Sequence, residues 1–207
     1  MSDNKIVIIG YSGHGLVVAD SALKGQLNLK YYTEKEIMPV NPYELDYLGF
    51  ESDSSFSAWS ESYDYIIGIG DNAIRSKVAN IVISKSKTLV SVIDPSSIVS
   101  SYAKIGVGTY IGKRTVVNTM AQIGEYCILN SGSIIEHDCR ISNGVHVAPG
   151  ATVLGNVKIG EQTFIGANAV IKENISIGKH VVVGAGAVVI KDIPDHTRVA
   201  GNPAKTI

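Results

Sequence analysis

"IGEQTFIGANAVIKENISIGKHVVVGAGAV", residues 159–188, restarts on an aliphatic residue every six positions, at Ile159, Ile165, Ile171, Ile177 and Val183. The same frame runs back without an insertion to Ile93, and every hexad opens with Ile, Val or Leu. From Ser97 to Ala151 the fifth place is small almost throughout: Ser97, Ala103, Thr109, Thr115, Ala121, Cys127, Ser133, Cys139 and Ala151, with Val145 the exception there. A strict short period of this kind specifies a solenoid in which no unit buries its apolar face alone and stacked neighbours complete the core. Three hexads close one triangular coil, the first position pointing inward and the third and fourth turning a corner. Stacked coils pair as parallel strands about 4.8 Å apart. Such prisms are left-handed, against the usual right-handed crossover rule. Five to six coils fit between residue 93 and about residue 190, so residues 91–207 are expected to form a left-handed parallel β-helix with a C-terminal tail.

Upstream the pattern changes. "KIVIIG" is a short buried strand closed by glycine, "YSGHG" the turn after it, and "LVVADSALKG" a helix ended by Gly25. "YDYIIGIG" followed by "DNAIRSKVANIVISK" repeats the strand, glycine turn and helix. Residues 1–90 are therefore expected to form a small Rossmann-like α/β domain with a parallel sheet. Ligands bind such sheets at the carboxyl ends of the strands, here Ser12, Gly13, His14 and Gly15, and Gly70 to Asn72. The spacing G-x-x-G-x-G is not the dinucleotide fingerprint, yet its N–H groups can meet a phosphate at a helix N-terminus.

Composition removes several function classes. The formal net charge is −1, with no basic run to track nucleic acid. No apolar stretch approaches a membrane span, and "MSDNKIVIIG" lacks a signal-peptide pattern, so a cytoplasmic protein without a membrane partner is expected. Cys127 and Cys139 fall on inward fifth positions and read as core residues rather than nucleophiles.

Against this regular background "SIIEHDCRIS", residues 133–142, stands out. Ile135 and Cys139 take inward places, while His137 and Asp138 occupy a corner and Glu136 precedes them. An imidazole beside two acids suits a general base. His146, nine residues on, takes an outward place half a coil away, about 15 Å distant on one prism. The two histidines cannot share a pocket within one subunit. They meet if prisms pack about a threefold axis, which places active sites between subunits.

Taken together, "IIGYSGHGLVVAD", "IIGIGDNAIR", "LNSGSIIEHDCRISNGVHVAPGATVLGNVKIGEQTFIGANAVI" and "VAGNPAK" resemble the bacterial hexapeptide-repeat sugar acetyltransferases, over essentially the whole chain. These are the nucleotide-linked 4-amino-sugar N-acetyltransferases and sialic acid O-acetyltransferases. The resemblance implies a homotrimer, acetyl-CoA as co-substrate with no metal, and a sugar nucleotide held mainly by the N-terminal domain, in surface glycan biosynthesis. It puts the catalytic base on His137, with Asp138 or its rival Glu136 as the supporting acid and Asn130 nearby. It puts acetyl-CoA against His146, along Gly166, Ala167, Asn168 and Ala185, and towards Pro203 and Lys205 of "GNPAK". His14 is expected to contact the sugar nucleotide, with Thr33 and Glu34 the nearest match to an acidic pair for the base. Tyr11, Tyr31 and Tyr32 are candidates for stacking on that base, though tyrosines at strand ends more often serve packing. Either the His146 ring or exposed N–H groups would stabilise the oxyanion. The favoured acceptor is the 4-amino group of a nucleotide-linked 4-amino-4,6-dideoxy sugar, with sialic acid O-acetylation as the alternative. A metal-dependent lyase of hexapeptide type and a non-catalytic scaffold are the remote ones; the former needs three converging histidines, against His14, His137, His146, His180 and His196 here.

Overall fold

The computed structural model describes residues 4–207. The apolar run Ile6–Ile9 forms a fully buried strand (β1), and Gly13–Lys24 a helix (α1). Leu29–Thr33 (β2), Asp46–Tyr47 (β3) and Asp64–Ile67 (β4) complete a four-stranded parallel sheet in the order β3-β2-β1-β4, and Asn72–Ser84 forms the second helix (α2). α1 begins at Gly13 rather than at Leu16, so the "SGHG" stretch is the cap and first turn of the helix and not a loop before it. Gly15 makes this possible: a Cβ there would collide with the Gly10 carbonyl, so only glycine lets α1 approach the end of β1 this closely.

From Val92 onward the chain winds as a parallel β-helix of two-residue strands, each hydrogen-bonded to the strand 18 residues later, as Ile128 is to His146. The first-position residues from Ile111 to Val189 line one continuous core. Ile93 departs from that rule and is 44% exposed, because the first coil has no neighbour beneath it. Every corner from Gly108 to Gly186 places its fourth residue at positive φ, between 42° and 69°. This left-handed conformation favours Gly, Asn and Asp, and it is the conformation of Asp138, at φ 60°.

The three faces differ in their outward residues. One carries Lys104, Gln122, Arg140, Lys158 and Ser176 and faces solvent. The second carries Val92, Tyr110, Ile128, His146, Phe164 and Val182, and the α/β layer covers it. The third carries Ile98, Val116, Ile134, Thr152, Val170 and Val188, a largely apolar row that no element among the described residues packs over. The α/β layer is fastened by Ser21, whose Oγ donates to Asp94 at 2.6 Å, and by the Lys113–Asp20 ion pair at 2.6 Å. After the prism, Arg198–Ala200 pairs with Val182–Val183, and Lys205–Thr206 folds back on it antiparallel. Among the described residues no helix is long and apolar enough to cross a membrane.

Candidate active site

His137 and Asp138 stand on the corner between the apolar and polar faces. The left-handed backbone at Asp138 turns its carboxylate onto the preceding ring, and Oδ2 lies 2.9 Å from His137 Nδ1. A carboxylate only accepts, so Nδ1 carries the proton and Nε2 keeps its lone pair. The acid in contact is thus Asp138, while Glu136 sits at the strand end with its main-chain N–H bonded to the Val153 carbonyl. The His137 side chain is 57% exposed, which leaves it open to a substrate or a second chain.

His146 projects outward from the prism as the repeat requires, but it does not lie on the surface. The turn before α2 covers it, and it is only 8% exposed. Its Nδ1 lies 3.3 Å from the Gly70 carbonyl and its Nε2 3.4 Å from Asn130 Nδ2. Asn130 Oδ1 already accepts from Ser131 N at 2.8 Å, so the amide donates to His146. His146 is therefore protonated on Nδ1 and spends that N–H on Gly70, which corrects the expectation that its ring stabilises an oxyanion. His14 joins the cluster, 6.3 Å from the His146 ring and edge-on to Tyr110 at 5.5 Å, and its Nε2 is buried without a hydrogen-bond partner.

The cluster is held by Arg75, a residue that sequence reasoning passed over. It lies in "DNAIRSK" at the start of α2 and is 1% exposed. It donates to the carbonyls of Tyr126 (2.8 Å), Gly70 (2.9 Å) and Gly144 (2.8 Å) and to Asn72 Oδ1 (2.8 Å). Burial lowers its pKa to about 10, and at neutral pH it remains the charge that repels any proton on the two histidines. Burial first, and Arg75 second, push His146 down to about 3 and His14 down to about 4. Both are neutral when folded and titrate near 6.5 when unfolded, so stability is full above pH 6.5 and is lost as pH falls towards 4 and 3. Each histidine should contribute a slope of about 1.4 kcal/mol per pH unit in that window. Urea unfolding at several pH values between 7 and 5 should show His146→Gln with a shallower loss than the parent; an unchanged slope would refute the assignment.

A cavity of about 440 Å³ opens at the carboxyl ends of β1, β2 and β4. Ser12, His14, Glu34 and Gly70 line it, with Lys35, Lys77 and the buried Glu51. Glu34 accepts the Tyr11 N–H at 3.1 Å. The other predicted residues do not line it. Gly13 is exposed, and Gly15 is consumed by helix packing. Thr33 is fully buried and donates to Glu51 at 3.0 Å. Asn72 donates to the Gln162 and Thr163 carbonyls at 2.9 and 3.2 Å, tying α2 to the prism. Tyr11 and Tyr32 pack on each other at 4.6 Å and are buried, and Tyr31 packs on Tyr63 at 5.0 Å, so these rings serve packing.

Four of the residues predicted to hold acetyl-CoA share one edge of the prism. Gly166, Ala167, Asn168 and Ala185 lie on the corner column between the covered and apolar faces, as does Asn130. Beyond the prism the tail crosses the end of the apolar face, with Ala204 N donating to the Val188 carbonyl, and Pro203 and Lys205 line a cavity of about 190 Å³ with Val189 to Lys191, which turn the corner of the His137 edge. His137 lies on the opposite edge of the apolar face, so one chain does not bring this column to the imidazole. One further feature escaped the sequence. His180 and His196 stack with ring centroids 5.0 Å apart and planes 9° from parallel. The thiols of Cys127 and Cys139 are pushed up by burial to about 12 and about 11, as core thiols.

Residues 5–82 match the family model described as PglD N-terminal domain. Residues 120–155 and 156–191 match the model described as bacterial transferase hexapeptide (six repeats). Solved structures resemble the whole chain. The acetyltransferase domain of PglB from Neisseria gonorrhoeae FA1090, in complex with acetyl coenzyme A, is 31% identical over 100% of both chains, with a TM-score of 0.93. A histidine-to-asparagine mutant of perosamine N-acetyltransferase from Caulobacter crescentus, in complex with CoA and GDP-perosamine, is 28% identical over 100% of this chain and 98% of that one, with a TM-score of 0.92. WeeI from Acinetobacter baumannii AYE is 26% identical over 98% and 99%, with a TM-score of 0.86. No curated protein matches the chain.

Proposed function

We propose that this chain, which belongs to the bacterial hexapeptide-repeat sugar acetyltransferases and uses acetyl-CoA, acetylates the 4-amino group of a nucleotide-linked 4-amino-4,6-dideoxy sugar. The observation that carries the reading is the exposed His137 ring with Asp138 on Nδ1 and a free lone pair on Nε2. The acceptor nitrogen attacks the thioester carbonyl while Nε2 takes its proton. Asp138 stabilises the imidazolium, the carbon–sulfur bond breaks, and the proton passes to the departing thiolate. Buried Cys127 and Cys139 take no part. The cavity at the carboxyl ends of β1, β2 and β4 receives the nucleotide, with Lys35 and Lys77 as cations for its diphosphate. The relative solved with GDP-perosamine, mutated at a histidine, supports both an amino-sugar acceptor and a histidine at the chemistry.

The working unit is a homotrimer. The uncovered row Ile98, Val116, Ile134, Thr152, Val170 and Val188 is a contiguous apolar strip of the kind subunit contacts cover. Around a threefold axis it brings the His137 edge of one protomer to the Asn130–Asn168 edge of the next. Thiol release measured against GDP-, UDP-, dTDP- and CMP-linked sugars tests the acceptor. Turnover confined to amino sugars on a diphosphate carrier is expected; equal turnover of a CMP-linked sugar without a free amine would overturn the N-acetylation reading.

A further inference from the structure

We infer that Gly155 is a positioning residue for His137, the seat on which the imidazole rests one coil along the same corner; this rests on His137 being the base. A Cβ built on Gly155 would stand 2.7 Å from both Cε1 and Nε2 of His137 and 3.4 Å from Cδ2. The ring edge that carries the lone pair thus lies directly against the glycine. The two corners are locked together, since Asn156 N donates to the His137 carbonyl at 2.9 Å.

Nothing else at this position demands glycine. Gly155 is not among the residues at positive φ, unlike Gly132, Gly144 and Gly150, so its backbone tolerates a side chain. The equivalent third positions on the same corner column hold Ser101, Thr119 and Glu173, so the coil geometry accepts a Cβ there. The requirement comes from the imidazole alone. It matters because the His137 side chain is otherwise poorly restrained: it is 57% exposed, and among the described residues its ring makes one hydrogen bond, donated from Nδ1 to the adjacent Asp138. A free ring would populate several χ1 wells and lose the pose in which Nε2 faces the acceptor. Asp138 on one nitrogen and the bare Gly155 beneath the other edge fix that pose together.

Gly155→Ala tests the seat in the full-length enzyme. We expect kcat to fall about 10- to 100-fold, the range for an approximately 1 Å misplacement of a reacting group. KM for acetyl-CoA and acceptor should stay within about threefold, because no binding contact is removed. The Cε1–H resonance of His137, identified by its loss in His137→Ala, should shift in Gly155→Ala. On the His137→Ala background the same substitution should leave kcat unchanged. If Gly155→Ala fails to fold alone but folds on the His137→Ala background, the clash with the ring is demonstrated directly. Turnover within twofold of the parent with an unmoved resonance would overturn the seat, as would an equal loss of kcat on the His137→Ala background. Failure of the base assignment is distinguishable: His137→Ala would then turn over normally, while the resonance in Gly155→Ala would still report the contact.

Discussion

His137→Ala is expected to lower kcat by about three orders of magnitude, within the range of about 10² to 10⁴ for a positioned general base. An amine held as its ammonium form has no lone pair to give, and a neutral amine must shed a proton as the new C–N bond forms. Nε2 is the lone pair this corner offers, and Asp138 keeps it there by holding the proton on Nδ1 at 2.9 Å. The substitution should leave the fold intact, since the side chain is 57% exposed and packs into no core. KM for either substrate should change little, because the ring contributes mainly in the transition state. Steady-state thiol release, with circular dichroism as the control for folding, reads the result. Near-parental turnover would remove His137 from the mechanism.

Val170→Asp should abolish activity by a different route. Val170 is the fifth residue of the six in the uncovered row, between Thr152 and Val188. Burying a valine side chain is worth about 1.5–3 kcal/mol, and a desolvated carboxylate in its place costs several kcal/mol more. Around a threefold axis that penalty is met at every contact. Light scattering should give about three chain masses of 22.0 kDa for the parent and one for the variant. The single prism should stay folded, because Val170 is an outward residue and Ile171 beneath it keeps the core. Subunit mixing separates a shared site from a merely trimeric one. His137→Ala and Asn130→Ala protomers, each inactive alone, should recover activity when mixed, with about a quarter of the sites intact in a random assembly. Absence of recovery in verified mixed trimers would place the whole site within one chain.

His146, Asn130, Gly70 and His14 form a cluster between the α/β layer and the covered face of the prism. Arg75 keeps that cluster in place without a carboxylate partner, through carbonyls from both the α/β layer and the prism. A cation solvated only by carbonyls is costly unless every donor is satisfied. Loosening any element it ties should therefore disturb the others.

How much of this was legible in the residues depends on how far apart the interacting groups lie. The prism was, because each coil touches only its neighbours, so one aliphatic place in six carries the whole architecture. The corner placement of His137 and Asp138 followed from the same register, as did the inward burial of Cys127 and Cys139. Their pairing is a contact between adjacent residues, and the left-handed φ at every fourth place directs the carboxylate back onto the ring. What only the tertiary structure decided was everything that crosses between the repeat and the non-repetitive layer. His146 was correctly aimed outward but lies under the Gly70 turn, Thr33 is spent on Glu51, Asn72 became a strut, and Arg75 is buried rather than solvated. No period encodes how a helix docks on a prism face, because that geometry is set by side chains distant in sequence competing for one interface. The same physics governs Gly155, whose missing side chain acquires its meaning only from the edge of the His137 ring beside it.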